Sequence, residues 1–169
     1  MATIQAGFSE EDERRDGVFK ATREIFRQIA SIQFNISIGR FNDVDASMEE
    51  TEGRIRSTLA ALGKADPDAR EGNINRAIES FTEMRLLQQF FLTGRLVGKG
   101  DVQPCNDDEY MAASLGFAQH LARYCVGRAC EADVSSIGIC KSIVLDLNEK
   151  MLEFDFRNGP LRRKYDGLK

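Results

Sequence analysis

The chain of 169 residues has no tryptophan, three prolines and a single histidine. One imidazole leaves His120 as the only histidine base, and neither GxSxG nor HExxH occurs, so the sequence carries no motif for α/β-hydrolase or zincin chemistry. No glycine-rich phosphate loop is present, which removes the common nucleotide-hydrolysing designs. Scarce proline and few β-branched runs, against abundant Ala, Leu, Ile, Glu, Arg and Gln, predict an all-α fold. No apolar run is long enough to span a bilayer, and no secretory leader is evident. Cys105, Cys125, Cys130 and Cys140 form no CxxC pair, so they are expected to be reduced, structural thiols of an intracellular protein. The net charge of −4 shows no global attraction to polyanions, so a nucleic-acid surface requires a local concentration of Arg and Lys.

With 42% hydrophobic residues, the chain can bury a core of one domain, taken as residues 1–169. Ser9-Glu-Glu-Asp12 reads as a helix cap, followed by a stripe of Val18, Ile25, Ile29, Ile32 and Ile36. Phe19, Phe26 and Phe34 widen that face, so this helix should meet more than one neighbour, with Gly39 ending it. Ser47-Met-Glu-Glu50 reads as a capping box for a second helix with Ile55, Leu59 and Leu62 inward and Gly63 near its close. Asp66-Pro67 reads as the cap of a third. From Met84 to Val97 apolar residues surround that third helix, the mark of a central element. The run Gly98 to Pro104 is a loop, and Asn106 caps a fourth helix carrying Tyr110, Met111, Leu115, Leu121 and Cys125. A fifth helix starts near Asp133 to Ser136, with Ile137, Cys140, Val144, Leu147, Met151 and Phe154 inward. Gly159, suited to positive φ, and Pro160 mark the restart into a sixth, where Leu161, Tyr165 and Leu168 share a face. The reading is a single bundle of about six helices whose apolar flanks favour oligomerisation. No cap follows Lys169, so the final helix is expected to be incomplete.

Two chemistries compete. Converging carboxylates can hold Mg²⁺ for phosphodiester cleavage, and Glu79 and Glu83 share a helix face. Arg76 and Arg85 nearby suit solvated ion pairs instead, and Asp107, Asp108 and Glu109 suit a helix N-terminus. The second chemistry is phosphate neutralisation by Arg70, Arg76 and Arg85 on the third helix and by Arg162, Arg163, Lys164 and Lys169 near the end. Tyr165 or Phe81 could supply stacking. Nothing at helical spacing from His120 supplies a nucleophile, so a catalytic triad is not expected.

The closing run Leu161-Arg-Arg-Lys-Tyr-Asp-Gly-Leu-Lys169 resembles the last helix of the translin family. Leu121-Ala-Arg-Tyr-Cys-Val126 is similar to a Leu-x-Arg-x-x-Val segment shared by translin and translin-associated factor X, and the Thr93 to Val97 stretch is similar to the end of their central helix. The resemblance implies an all-helical bundle assembling into a closed, octamer-like shell that binds single-stranded RNA or DNA on its inner surface. In translin-associated factor X, a Glu-x-x-Glu pair and an Asp-x-x-x-Glu pair form an endoribonuclease site. Those four positions correspond to Ser80, Glu83, Gly116 and His120, of which only Glu83 is a carboxylate. The resemblance therefore implies a binding subunit without a metal cofactor, partnering a translin-associated factor X-like nuclease in small-RNA or tRNA processing, in the cytoplasm and also the nucleus. The alternatives are an Mg²⁺-dependent endoribonuclease working through Glu83 and Glu79, and a purely structural helical scaffold.

Overall fold

In a computed structural model, the backbone is described for residues 2–62 and 72–168, and side chains for residues 16–62 and 72–168. Among the described residues there are six α-helices and no strand: α1 (Ala2–Ser37), α2 (Asp45–Ala61), α3 (Asn73–Thr93), α4 (Asp107–Cys130), α5 (Val134–Leu152) and α6 (Pro160–Asp166). None of these helices is long and apolar enough to cross a membrane. The Asp66-Pro67 cap, Gly63, Arg70 and Lys169 lie outside the described residues.

Helix α1 buries Ile25, Ile29, Ile32 and Ile36 against α2 and α3, as the isoleucine stripe predicts. Its end is a Schellman motif: Gly39, at φ +80°, donates to the Ile36 carbonyl at 3.0 Å, and Arg40 donates to that of Asn35 at 2.9 Å. Two expectations for α1 are corrected. The helix already runs through Ser9 because no proline interrupts residues 2–37, and Phe19 and Phe34 are exposed rather than packed. Ser47 likewise lies inside α2, which starts two residues earlier. Here tertiary anchoring overrides the local capping signal: Val44 and Met48 are fully buried, and the buried Gln88 amide of α3 donates to Asp45 at 2.6 Å and to the Phe41 carbonyl at 3.1 Å.

Helix α3 is central, with buried side chains around its whole circumference and contacts to α1, α2 and α4. It stops at Thr93, where Gly94 adopts φ +72° and donates to the Phe90 carbonyl, so Leu96 and Val97 follow the helix rather than extend it. The connection then returns along the bundle through a short 3₁₀ turn, Lys99–Asp101, with Val102 and Cys105 buried. The Tyr110 hydroxyl, donating to the Val97 carbonyl at 2.8 Å, ties that return to α4. The Asn106 cap is a full capping box, in which the Asn106 side chain accepts from Glu109 N–H and the Glu109 carboxylate from Asn106 N–H, both at 2.8 Å.

This return makes α3 and α4 parallel. Glu83 faces Gly116 and Phe91 faces Tyr124, so the pairing keeps the same offset over two turns. Helix α5 follows after a tight turn, with the Asp133 carboxylate accepting from Ser136 N–H at 3.1 Å. It covers α4 through Cys140, Leu147 and Met151. Phe154, expected inward, lies past the end of α5 and is exposed, its ring stacked on Phe156. Gly159 is extended at φ −179° rather than left-handed, because the segment from α5 has already left the helix before Pro160 opens α6. Tyr165 buries the inner face of α6 against Phe156.

Candidate nucleic-acid interface and the Glu83 centre

The parallel register of α3 and α4 brings Glu83, Gly116 and His120 together at mid-height of the bundle. The Glu83 carboxylate lies so close to α4 that a Cβ placed on Gly116 would sit 2.3 Å from Oε2. Any larger residue at this position would require the Glu83 side chain to move. With no side chain there, Glu83 leans onto α4 and its Oε1 meets His120 Nε2 at 2.8 Å. Ser80 precedes Glu83 by one turn and is half-buried.

This donor set does not fit Mg²⁺, which requires several hard oxygen ligands to replace its water shell. Glu83 is the only carboxylate at the four positions, its oxygen is engaged by an imidazole, and the Gly116 position is filled by Glu83 itself. Glu79 is turned away into an ion pair with Lys164 of α6. Among the described residues no group of three or more His, Cys, Asp or Glu is placed to share a metal ion.

The candidate phosphate-binding residues differ in how free their charges are. Arg85 pairs with Glu52 at 3.1 Å and its guanidinium lies 5.8 Å from the centre of the Phe81 ring. Phe81 itself is fully buried, so it is not available for stacking on a base. Arg162 pairs with Asp166 one turn on, at 2.9 Å, and that neighbour holds its guanidinium pKa above the usual value. Lys164 is taken by Glu79, and Tyr165, buried 3% exposed, cannot stack on a ligand. Arg76 and Arg163 are exposed and make no ion pair among the described residues. Among the described residues, the basic triplet of α6 thus holds one charge without a carboxylate partner, at Arg163.

Near these residues, a cleft of about 780 Å³ opens where the N-terminal ends of α3 and α4 meet the α5–α6 connection. Its walls carry Arg76 and Arg157 but also Glu79, Asp107, Asp108, Glu109 and Asp155; with Lys164 offsetting Glu79 and Lys99 offsetting Asp107, a small acidic excess remains that works against phosphate. The first-turn acids belong to the α4 N-terminus, where they complement the helix dipole.

The whole described fold aligns with solved structures. It superimposes on NeC3PO with a TM-score of 0.85 at 14% identity, over 99% of this chain and 88% of that one. It superimposes on AfC3PO, solved in complex with duplex RNA, with a TM-score of 0.72 at 19% identity, over 99% of this chain and 87% of that one. The fold is shared with these two C3PO structures. No family model and no curated protein sequence matches the chain. At such identities the C3PO fold is shared while side-chain chemistry must be read from this chain's own residues. Residues that sequence reasoning passed over as site candidates are Phe41, Phe91, Arg123, Tyr124 and Arg128, which converge only through the α1, α3 and α4 packing. The adjacent Arg123-Tyr124 pair, with Arg128 one turn on, was the available signal.

Proposed function

We propose that this chain is a non-catalytic, RNA-binding subunit of a translin-type oligomeric assembly, which presents single-stranded RNA or DNA to a nuclease partner resembling translin-associated factor X. The observation that carries the reading is the alignment of essentially the whole chain with AfC3PO, whose structure holds duplex RNA. The Glu83 centre supports a binding role, since one carboxylate tied to His120 is a poor Mg²⁺ ligand set. Exposed Val126, Val134, Leu145 and Leu152 on α4 and α5 offer apolar surface suited to neighbouring subunits. A cytoplasmic and nuclear location, as expected for RNA processing, belongs to the same proposal.

Phosphates would be neutralised first by Arg76 and Arg163, with Arg162, Lys164 and Arg85 contributing on exchanging their carboxylates. The test is binding of a fluorescein-labelled single-stranded RNA and its DNA counterpart to the native assembly across a salt series. Affinity should fall steeply with salt, and Arg76→Glu with Arg163→Glu should weaken all sequences alike. Absent or salt-insensitive binding would overturn the reading. Mg²⁺-dependent RNA cleavage by the purified chain, abolished in Glu83→Gln, would replace it with the nuclease alternative.

A further inference from the structure

A second cleft lies at the opposite end of the α3–α4 pair, under the C-terminal end of α1, and encloses about 610 Å³. That volume is within the range of roughly 300–1,000 Å³ typical of small-ligand sites. Among its described lining residues there is no Asp or Glu, although the chain as a whole carries a net charge of −4. Its wall is aromatic and fixed in place. Phe41 and Phe91 stack with centroids 4.6 Å apart, and Tyr124 meets Phe91 edge-on at 5.0 Å. Its polar side chains are Gln33 and Ser37 of α1 and His120, Arg123 and Arg128 of α4. Arg123 is exposed and makes no ion pair among the described residues. Arg128 lies 5.1 Å from the centre of the Tyr124 ring and pairs with Glu131 at 2.7 Å. Its Nε is buried with no acceptor among the described residues.

An aromatic wall beside the unpaired Arg123 guanidinium and the buried Nε of Arg128, whose outer nitrogens are held by Glu131, matches one chemistry well: a planar, uncharged ring joined to an anion. Resting on the RNA-binding reading above, we infer that this cleft holds one unpaired nucleotide of the bound strand. The base stacks against the Phe91–Tyr124 wall, and its phosphate is met by Arg123 and Arg128. A paired base cannot enter, because both its faces are covered by its neighbours in the duplex. The cleft therefore makes the chain favour single strands, or the unpaired ends of a duplex, over a blunt duplex. Stacking is tolerant of base identity, so the preference is for unpaired state rather than sequence.

The test compares a ten-nucleotide single-stranded RNA with a blunt duplex of the same sequence, both bound to the native assembly. Tyr124→Leu keeps the apolar packing and removes the aromatic face; Arg123→Gln changes only an exposed charge. Each should lower single-strand affinity at least tenfold and leave duplex affinity within twofold. Arg123→Gln should also reduce the salt slope for the single strand by about one. Thermal unfolding and native mass serve as folding controls, and Arg123→Gln remains decisive if Tyr124→Leu fails to fold. Unchanged single-strand affinity, or equal loss for single strand and duplex, in a wild-type protein that binds RNA overturns the cleft assignment alone. A wild-type assembly that binds neither RNA at low salt overturns both the assignment and the RNA-binding reading.

Discussion

The two ends of the parallel α3–α4 pair carry clefts of similar size and opposite character. At the N-terminal end, five carboxylates face Arg76 and Arg157. At the C-terminal end, Arg123 and Arg128 share a cleft with three aromatic rings and no lining carboxylate, although Glu131 holds Arg128 from outside it. The most conspicuous basic run in the sequence, Arg162-Arg-Lys164, lies toward the acidic end, and the fold gives two of its three charges a carboxylate partner. On α4, Arg128 is likewise paired, with Glu131, but Arg123 stands beside the aromatic wall without an ion pair among the described residues. A run of like charge in a sequence therefore says little about local potential until the partners that folding delivers are known.

Between the two ends sits the Glu83 centre, and breaking it should have the largest effect. Gly116→Asp puts a second side chain where the Glu83 carboxylate already lies. Overpacking of this kind costs roughly 1–3 kcal/mol, and like-charge repulsion adds to it. Urea unfolding should place Gly116→Asp near the top of that range, with Gly116→Ala smaller; an unchanged midpoint would show that Glu83 has room to move. At the acidic end, the Asn106→Ala substitution removes the α4 capping box and should cost about 1 kcal/mol in the same assay. RNA affinity should be untouched by Asn106→Ala, which separates the stability of this end from RNA binding. Asp108→Lys combined with Asp155→Lys should raise RNA affinity severalfold at low salt, and the gain should vanish in high salt as the charges are screened. No gain would mean that these carboxylates do not limit phosphate binding at the neighbouring Arg76.

Smaller effects sharpen the same contrast. The Lys164–Glu79 pair is partly solvated, so Lys164→Ala should cost less than about 1 kcal/mol by thermal unfolding. A larger loss would make α6 docking depend on that pair rather than on Tyr165. Burial, followed by the neighbouring Cys125 thiol, pushes Cys140 up to about 12 from an ordinary value of 9.0. Folding thus holds a proton that the unfolded chain releases, so this contribution is intact below pH 9 and is lost as pH rises toward 12. Cys140→Ala should flatten that alkaline loss of stability, and in native labelling at neutral pH exposed Cys130 should react well before Cys140.

Much of the fold was legible because local signals and burial agree. The isoleucine stripe of α1, Gly39, the Asn106–Glu109 box and the Pro160 restart each act within one or two turns. Ser9 and Ser47 misled because a cap is chosen by the whole helix: α1 continues unbroken, and α2 is anchored by Val44 and Gln88 from outside it. Phe19, Phe34 and Phe154 misled because periodicity marks an apolar face without saying whether another helix covers it. The register carried over from the translin resemblance did place Glu83, Gly116 and His120 at one point in space. The aromatic cleft was not legible, since Phe41, Phe91 and Tyr124 come from three segments whose meeting depends on the parallel return between α3 and α4.

The most direct test of the central claim is a photo-cross-link map. A single-stranded RNA carrying 4-thiouridine would be irradiated on the native assembly, and the adducts located by mass spectrometry. Adducts concentrated on peptides containing Phe91 and Tyr124 are the predicted result. Adducts confined to the segments lining the acidic cleft, residues 106–112 and 154–161, with none at the aromatic end, would contradict the account.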